Sequence, residues 1–282
     1  VLNFSKGYFF DLDIDAPFTG EDIFSDEDWD FILNTKHTPE KKIEWTNTKN
    51  LSWLLTPFSF IGDIGWIHST KFKRKIREYC NDTFAVDILS EPAKTGFGKV
   101  LFPASVLRFA NDANWHMEGI ADYMNLSEHL YSFFKDYRLG YCINFKLFGS
   151  DSTSHTEFGE PDEQTISWEN ENIDYLNKQR KEDYPVYGFD PQALIHLDGE
   201  PIYTTNLTRS GFNSALEGEK HVTLKAKREG YKSPYAINLA KYHRVLMDDD
   251  QPRVTLRLHC STSKLSFENL EKLHFEGKLL KN

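Results

Sequence analysis

The stretch Tyr242-His243-Arg244-Val245-Leu246-Met247-Asp248-Asp249-Asp250-Gln251-Pro252-Arg253-Val254-Thr255-Leu256-Arg257 carries the reading of this chain. Val245 and Leu246 run into three consecutive acids. Beyond Pro252, Val254, Leu256 and Leu258 alternate with polar residues. That pattern predicts a strand, a turn and a second strand. A histidine stands before the turn and an arginine follows ten positions later. If the strands pair as a hairpin, imidazole and guanidinium face the same interior. This is a layout for a metal with an anionic ligand beside it, and the other metal ligands must come from upstream.

Working outward, short apolar runs recur from Phe84 onward: 85–89, 99–102, 106–110, 141–148, 193–197, 202–205, 222–226, 235–239, 244–247 and 254–259. Turn-rich or acidic segments separate them, which predicts an antiparallel sandwich or barrel. Helical spacing marks Asp22–Asn34, Ser69–Asn81, Leu126–Asp136, Asn172–Arg180 and the tail Ser266–Lys278. Residues 1–15 read as an edge strand, and Lys36–Asn50 as a polar loop. Ser52–Trp66 is apolar and interrupted by Gly62 and Gly65. The long polar stretch 159–187 reads as part helix and part lid. The expectation is one α+β domain over 1–282: a helical and edge-strand part (1–83), a β core (about 84–262) and a closing helix (263–282).

With 282 residues, 39% hydrophobic and 15% aromatic, the chain can bury a sizeable core. Its formal charge of −10 argues against nucleic acid, which calls for clustered Lys and Arg. The one basic run, Lys71–Arg77, reads as the solvated face of a helix. Three cysteines without a CxxC pair point away from a disulfide framework and toward a reducing, cytoplasmic setting. The opening residues show no signal-peptide pattern, and no apolar run approaches the roughly 20 residues of a membrane span. Oligomeric state is left open.

Two His-x-Glu triplets lie upstream of His243: His116-Met117-Glu118, followed by Gly119, and His155-Thr156-Glu157. On a strand, positions i and i+2 share a face, so either triplet presents an imidazole and a carboxylate together. Two histidines and one carboxylate on one side of a metal leave positions open, the facial arrangement of non-haem Fe(II) oxygenases. A core-like strand follows His116 and Glu118, which favours that pair. His155 and Glu157 stay as the rival.

These motifs resemble those of Fe(II)/2-oxoglutarate-dependent oxygenases with a double-stranded β-helix (jelly-roll, cupin-like) core. That family pattern is His-x-Asp/Glu, a long gap, a distal His, and about ten residues later an Arg within Arg-x-Ser/Thr. Here the matching residues are His116-Met-Glu118, His243 and Arg253-Val-Thr255. Val106-Leu-Arg-Phe-Ala-Asn-Asp-Ala-Asn-Trp-His, Tyr141-Cys-Ile-Asn-Phe-Lys-Leu-Phe and Ala236-Ile-Asn-Leu-Ala-Lys-Tyr-His-Arg-Val are similar to the strands around the family's site. The likeness spans about residues 99–260. It implies a jelly-roll core flanked by N-terminal helices and a C-terminal helix, with His116, Glu118 and His243 as Fe(II) ligands. It further implies that Arg253 and Thr255 hold the far carboxylate of 2-oxoglutarate, and that Asn144 or Lys146 touches the cosubstrate. The acid departs from the family's usual Asp. Arg257, four residues on along the same face, competes with Arg253, whereas Arg244 points to the opposite face.

The function this implies couples dioxygen and 2-oxoglutarate to hydroxylation, or another oxidation, of a C–H bond in a small polar molecule such as an amino acid. Arg209, Ser210 and Asn213 are the expected substrate contacts. A peptide side-chain hydroxylase of the same superfamily and a non-catalytic jelly-roll binding module are the alternatives. No GxSxG, P-loop or GxGxxG is present. The remaining histidines, His259 among them, are assigned to structure or surface.

Overall fold

In the computed structural model the described residues are 3–34, 44–55, 63–90, 92–95, 100–110, 112–113, 115, 139–152, 154–163, 195–197, 200–202, 222–230, 234–261 and 265–281. In chain order the strands are β1 (Phe4–Ser5), β2 (Phe9–Asp11), β3 (Glu44–Asn47), β4 (Leu51–Leu55), β5 (Asp63–Ile67), β6 (Ala93–Thr95), β7 (Val100–Leu101) and β8 (Ala104–Phe109). They continue with β9 (Leu139–Phe148), β10 (Ser154–Pro161), β11 (Ile195–Leu197), β12 (Glu200–Ile202), β13 (Val222–Arg228), β14 (Tyr235–Asn238), β15 (Tyr242–Met247) and β16 (Arg253–Ser261). The helices are α1 (Gly20–Ile23), α2 (Asp26–Asn34), α3 (Thr70–Thr83) and α4 (Phe267–Phe275).

A large sheet runs in the order β1-β2-β14-β9-β16-β8-β5-β4-β3, a small one runs β13-β10-β15, and a third runs β12-β11-β6-β7. Every pairing among the described strands is antiparallel. The protein is therefore α+β with mostly antiparallel sheet and few helices, as the period-2 runs predict.

Local chemistry explains the helices. At the start of α2, Ser25 Oγ accepts from Asp28 N (3.3 Å) while Asp28 Oδ2 accepts from Ser25 N (2.9 Å), a reciprocal cap. Asp26, Glu27 and Asp28 put negative charge where the helix dipole is positive. In α3, Phe72, Ile76 and Cys80 recur every four residues and are buried. The basic run of α3 is solvated as expected: Lys71, Arg74, Lys75 and Arg77 are exposed. Ser266 Oγ caps α4 through Asn269 N at 3.2 Å. Helical spacing joins 22–34 into one element, but Phe24, in extended backbone, ends α1 and a new cap starts α2.

The apolar face of the large sheet carries Phe10, Ala236, Ile143, Phe145, Val254, Leu256, Leu258 and Val106. It packs with Ile32, Phe72, Ile76 and Leu270 of the helices into the main core. Five strands of this sheet precede residue 84, so the β structure begins earlier than the sequence reading has it. Part of the expected polar loop 36–50 is β3. Gly65 does not break its segment but sits inside β5, opposite Trp53. A methyl group there would meet the Trp53 ring at 3.0 Å, tighter than ordinary packing, so the buried indole would have to shift. The run 85–89 is no strand, only two bridges, Phe84 to Leu280 and Leu89 to Cys260.

Residues 242–257 are two strands, but they do not pair as a hairpin. β15 joins β10 in the small sheet, whereas β16 lies between β8 and β9 in the large one. The acidic turn thus carries the chain from one sheet to the other. Asp248 and Asp249 are exposed but not idle. Asp248 contacts His155 Nδ1 at 2.9 Å, and Asp249 accepts from Gln251 N at 2.8 Å. Among the described residues no helix is long and apolar enough to cross a membrane. The expected helices at 126–136 and 172–180, and nearly all of the 159–187 stretch, lie outside the described residues.

Candidate functional site

The second face of the large sheet is set by register. Tyr235 lies opposite Asn144, Asn144 opposite Arg257, and Arg257 opposite Ser105. Antiparallel partners point to the same side, so Arg253, Thr255, Arg257 and His259 of β16 share this face with Asn144, Tyr235, Ser105 and Trp66. The small sheet lies against it: Arg253 Nη1 donates to Thr156 Oγ1 at 3.2 Å and to Ser154 Oγ at 3.4 Å. Phe158 of β10 stacks on Phe9 of β2 at 5.3 Å. The interior between these sheets is polar and still buried. Asn144, Arg253, Thr255, Arg257 and His259 are all below one-tenth exposed.

His243 lies on β15 opposite Phe158, and Val245 opposite Thr156. Its imidazole therefore faces inward with Ser154, Thr156 and Phe158. His243 Nδ1 sits 2.8 Å from the carbonyl of Lys241. A carbonyl only accepts, so Nδ1 carries the hydrogen, and Nε2 lies buried on the inner side. His243 and Arg253 do face one interior, from different sheets rather than from one hairpin.

Arg253 is clasped by hydroxyls. Besides Ser154 and Thr156 it donates to Tyr235 Oη, and its guanidinium lies 6.0 Å from the Tyr235 ring. Arg228 covers the same ring at 3.7 Å and pairs with Asp11 at 2.9 Å. Ser154, Thr156 and Tyr235 are not singled out by the sequence reading. The signal for the first two was present in Ser-His-Thr-Glu-Phe, where they alternate with the rival His155 and Glu157.

That rival pair faces the other way. His155 lies opposite Leu246 and Glu157 opposite Arg244, on the face away from His243. Glu157 Oε2 pairs with Arg244 at 2.6 Å, and His155 Nδ1 with Asp248 at 2.9 Å. The fold therefore does not bring His155 and Glu157 together with His243. Arg244 is on the opposite face, as expected.

His116 and Glu118 lie outside the described residues, and so do Arg209, Ser210 and Asn213. The chain leading to His116 is described in part, and it follows the edge of β15 away from β10. Asp112 Oδ1 accepts from Met247 N at 2.7 Å, and Ala113 N donates to the Val245 carbonyl at 2.8 Å. Trp115 lies 4.7 Å from the Arg244 guanidinium. From residue 112 to 115 the contacts step from 247 back to 244.

At the far end of the inner face, His259 Nε2 is 2.7 Å from Ser105 Oγ, and its ring lies 5.4 Å from Trp66. His259 is thus buried on this face, a structural histidine as one of the two expected assignments has it. Lys146, named with Asn144, pairs with Asp151 at 2.5 Å near the surface. The three cysteines are buried free thiols. Burial pushes the Cys80 thiol up to about 12 and the Cys260 thiol well above its ordinary value, so neither is poised as a thiolate. Among the described residues no three His, Cys, Asp or Glu side chains converge as a metal site.

A scan against protein-family models finds none that matches this chain, and a search of curated proteins finds no match either.

Proposed function

We propose that this chain is an Fe(II)- and 2-oxoglutarate-dependent oxygenase with a double-stranded β-helix core, hydroxylating a C–H bond of a small polar substrate such as an amino acid. The observation that carries this reading is the convergence of His243 and Arg253 on one buried interior from two different sheets. The donor chemistry fits a ferrous ion: with Nδ1 held by the Lys241 carbonyl, His243 would present Nε2 to the metal. His116 and Glu118 would complete the ligand set. Residues 112–115 step along β15 toward His243, and the residue bonded to Trp115 is His116.

Arg253 would hold the far carboxylate of 2-oxoglutarate as a planar fork, with Thr255 beside it. The hydroxyls of Ser154, Thr156 and Tyr235 hold the guanidinium in place beforehand, so little rotamer freedom is lost on binding. Asn144 offers an amide from the neighbouring strand. When bound, the iron and cosubstrate would supply dioxygen activation: substrate, dioxygen and 2-oxoglutarate give hydroxylated substrate, succinate and carbon dioxide. The chain orients the reactants and keeps bulk water out of the interior.

The test is anaerobic addition of Fe(II) and 2-oxoglutarate, followed by air and measurement of succinate. Wild type should bind the cosubstrate in a metal-dependent way and release succinate, and His243→Ala should do neither. No metal-dependent binding and no succinate from wild type would leave a binding module as the better reading.

A further inference from the structure

We propose that Arg228 is a positioning residue for the cosubstrate: it fixes the Tyr235 ring, and through that ring the Arg253 guanidinium; this rests on the oxygenase reading above. Arg228 closes β13, whose residues 223–225 and 227 are exposed. Its own side chain turns inward and is 1% exposed. A guanidinium at that depth costs free energy unless its donors are matched. Here Nε and Nη2 donate to Asp11 Oδ1 at 3.0 and 2.9 Å, and Nη1 donates to the Gly230 carbonyl at 3.1 Å. Both partners are held in turn. Asp11 Oδ2 accepts from the backbone and side-chain nitrogens of Asn3 at 3.0 and 3.1 Å. Gly230 turns at a φ of 70°, and a methyl group there would meet the Asp151 carbonyl at 2.7 Å. The flat face of the guanidinium lies on the Tyr235 ring, 3.7 Å from its centroid.

Two routes couple this brace to the carboxylate anchor. Tyr235 is fully buried, and its phenol oxygen accepts from Arg253 Nη2. Thr156, the register partner of Arg228 on β10, accepts from Arg253 Nη1 at 3.2 Å. Asp11 is the register partner of Tyr235 on β2. The ring is therefore bounded along the large sheet by β2 and from the small sheet by Arg228. A staple between the two sheets would need only the Arg228–Asp11 pair. The stacked tyrosine gives that pair a direction, toward Arg253. A planar fork receives a carboxylate well only when its plane is set in advance. Asp11, on the N-terminal edge strand, thereby bears on cosubstrate affinity without touching the cosubstrate.

The experiment uses the full chain with Mn(II) and reads the binding of two ligands by calorimetry. One is 2-oxoglutarate; the other is 2-oxobutanoate, which keeps the chelating end and lacks the far carboxylate. Wild type should bind 2-oxoglutarate more tightly. Tyr235→Phe should weaken 2-oxoglutarate about tenfold, the value of a hydrogen bond to a charged group. Arg228→Met should weaken it about fivefold, the value of a desolvated cation–π contact. Both variants should bind 2-oxobutanoate within about twofold of wild type, which a merely structural defect would not spare. The double variant should be at most about twofold weaker than Tyr235→Phe, because both changes act through one ring. Arg228→Lys, whose ammonium can meet the single Asp11 oxygen and still cover the ring, should recover 2-oxoglutarate to within about twofold. If Arg228→Met does not fold, the isosteric Asp11→Asn takes its place, with a loss of about threefold for 2-oxoglutarate alone. Equal weakening of both ligands, unchanged affinities, or effects of Arg228→Met and Tyr235→Phe that add in full would overturn the assignment. No binding of 2-oxoglutarate by wild type would overturn the oxygenase reading, and this inference with it.

Discussion

The two faces of the large sheet come from the same strands and are equally dry, yet they are built of opposite chemistry. Along β16, Val254, Leu256 and Leu258 are fully buried on the helix side. Arg253, Thr255, Arg257 and His259 alternate with them and are 4%, 2%, 6% and 6% exposed. Burying apolar groups stabilises the fold by roughly 25 cal/mol per Å². Burying guanidinium and imidazole groups costs free energy unless each is matched by partners. A fold needing only stability would gain from apolar residues in both rows. The difference teaches that one face holds the protein together, while the other buries the polar row on which the proposed function rests.

That division predicts opposite responses to substitution. The largest effect is expected at His243. His243→Ala should abolish metal-dependent 2-oxoglutarate binding in calorimetry while leaving the unfolding midpoint near that of wild type. A large stability loss with binding retained would break the comparison. On the apolar face, Phe145→Ala should destabilise by about 3–5 kcal/mol, read as a lower denaturant midpoint at constant slope. Arg253→Lys keeps the charge and loses the fork. It should weaken 2-oxoglutarate roughly tenfold to a hundredfold, the equivalent of about 1.5–3 kcal/mol. Gly65→Ala, whose new methyl would press on Trp53 at 3.0 Å, should cost about 1–3 kcal/mol with ligand binding unchanged.

The smallest expected effect is a dependence on pH remote from the inner face. His274 of α4 stacks on Phe10 at 4.5 Å, and burial, opposed by Glu271, lowers its pKa. A depressed folded-state value means that the unfolded chain takes up the proton first. Stability is full above the ordinary imidazole value of about 6.5 and is lost as pH falls from there through the lower folded-state value. His274→Gln should flatten this part of the stability–pH curve, and an unchanged curve would assign the acid sensitivity elsewhere.

Much of the strand content was legible because alternation is local: 141–148, 222–226 and 254–259 fall within strands, and 235–239 overruns its strand by one residue. The α3 and α4 helices were legible for the same reason, from the helical spacing of their apolar residues. The first third was harder. β3 to β5 lack clean alternation, and Gly65 reads as a breaker until the Trp53 ring opposite is known. At the site, residue types picked out His243 and Arg253, but the sheet containing each was not readable. Nothing in the sequence distinguishes a hairpin turn from a crossing between sheets, since both need a short polar connection.

The sequence by itself therefore determined which residues could do chemistry, and that the chain folds as α+β with antiparallel strands. Period-2 patterning and side-chain donor types are properties of the chain alone. Only the tertiary structure decided which faces meet. Register turned His155 and Glu157 away from His243, brought Ser154, Thr156 and Tyr235 around Arg253, and buried Arg257 and His259 on the same face of the large sheet as Arg253. The physical reason is that a strand offers two faces of equal standing, and the face turned inward is fixed by the pairing of strands far apart in the chain.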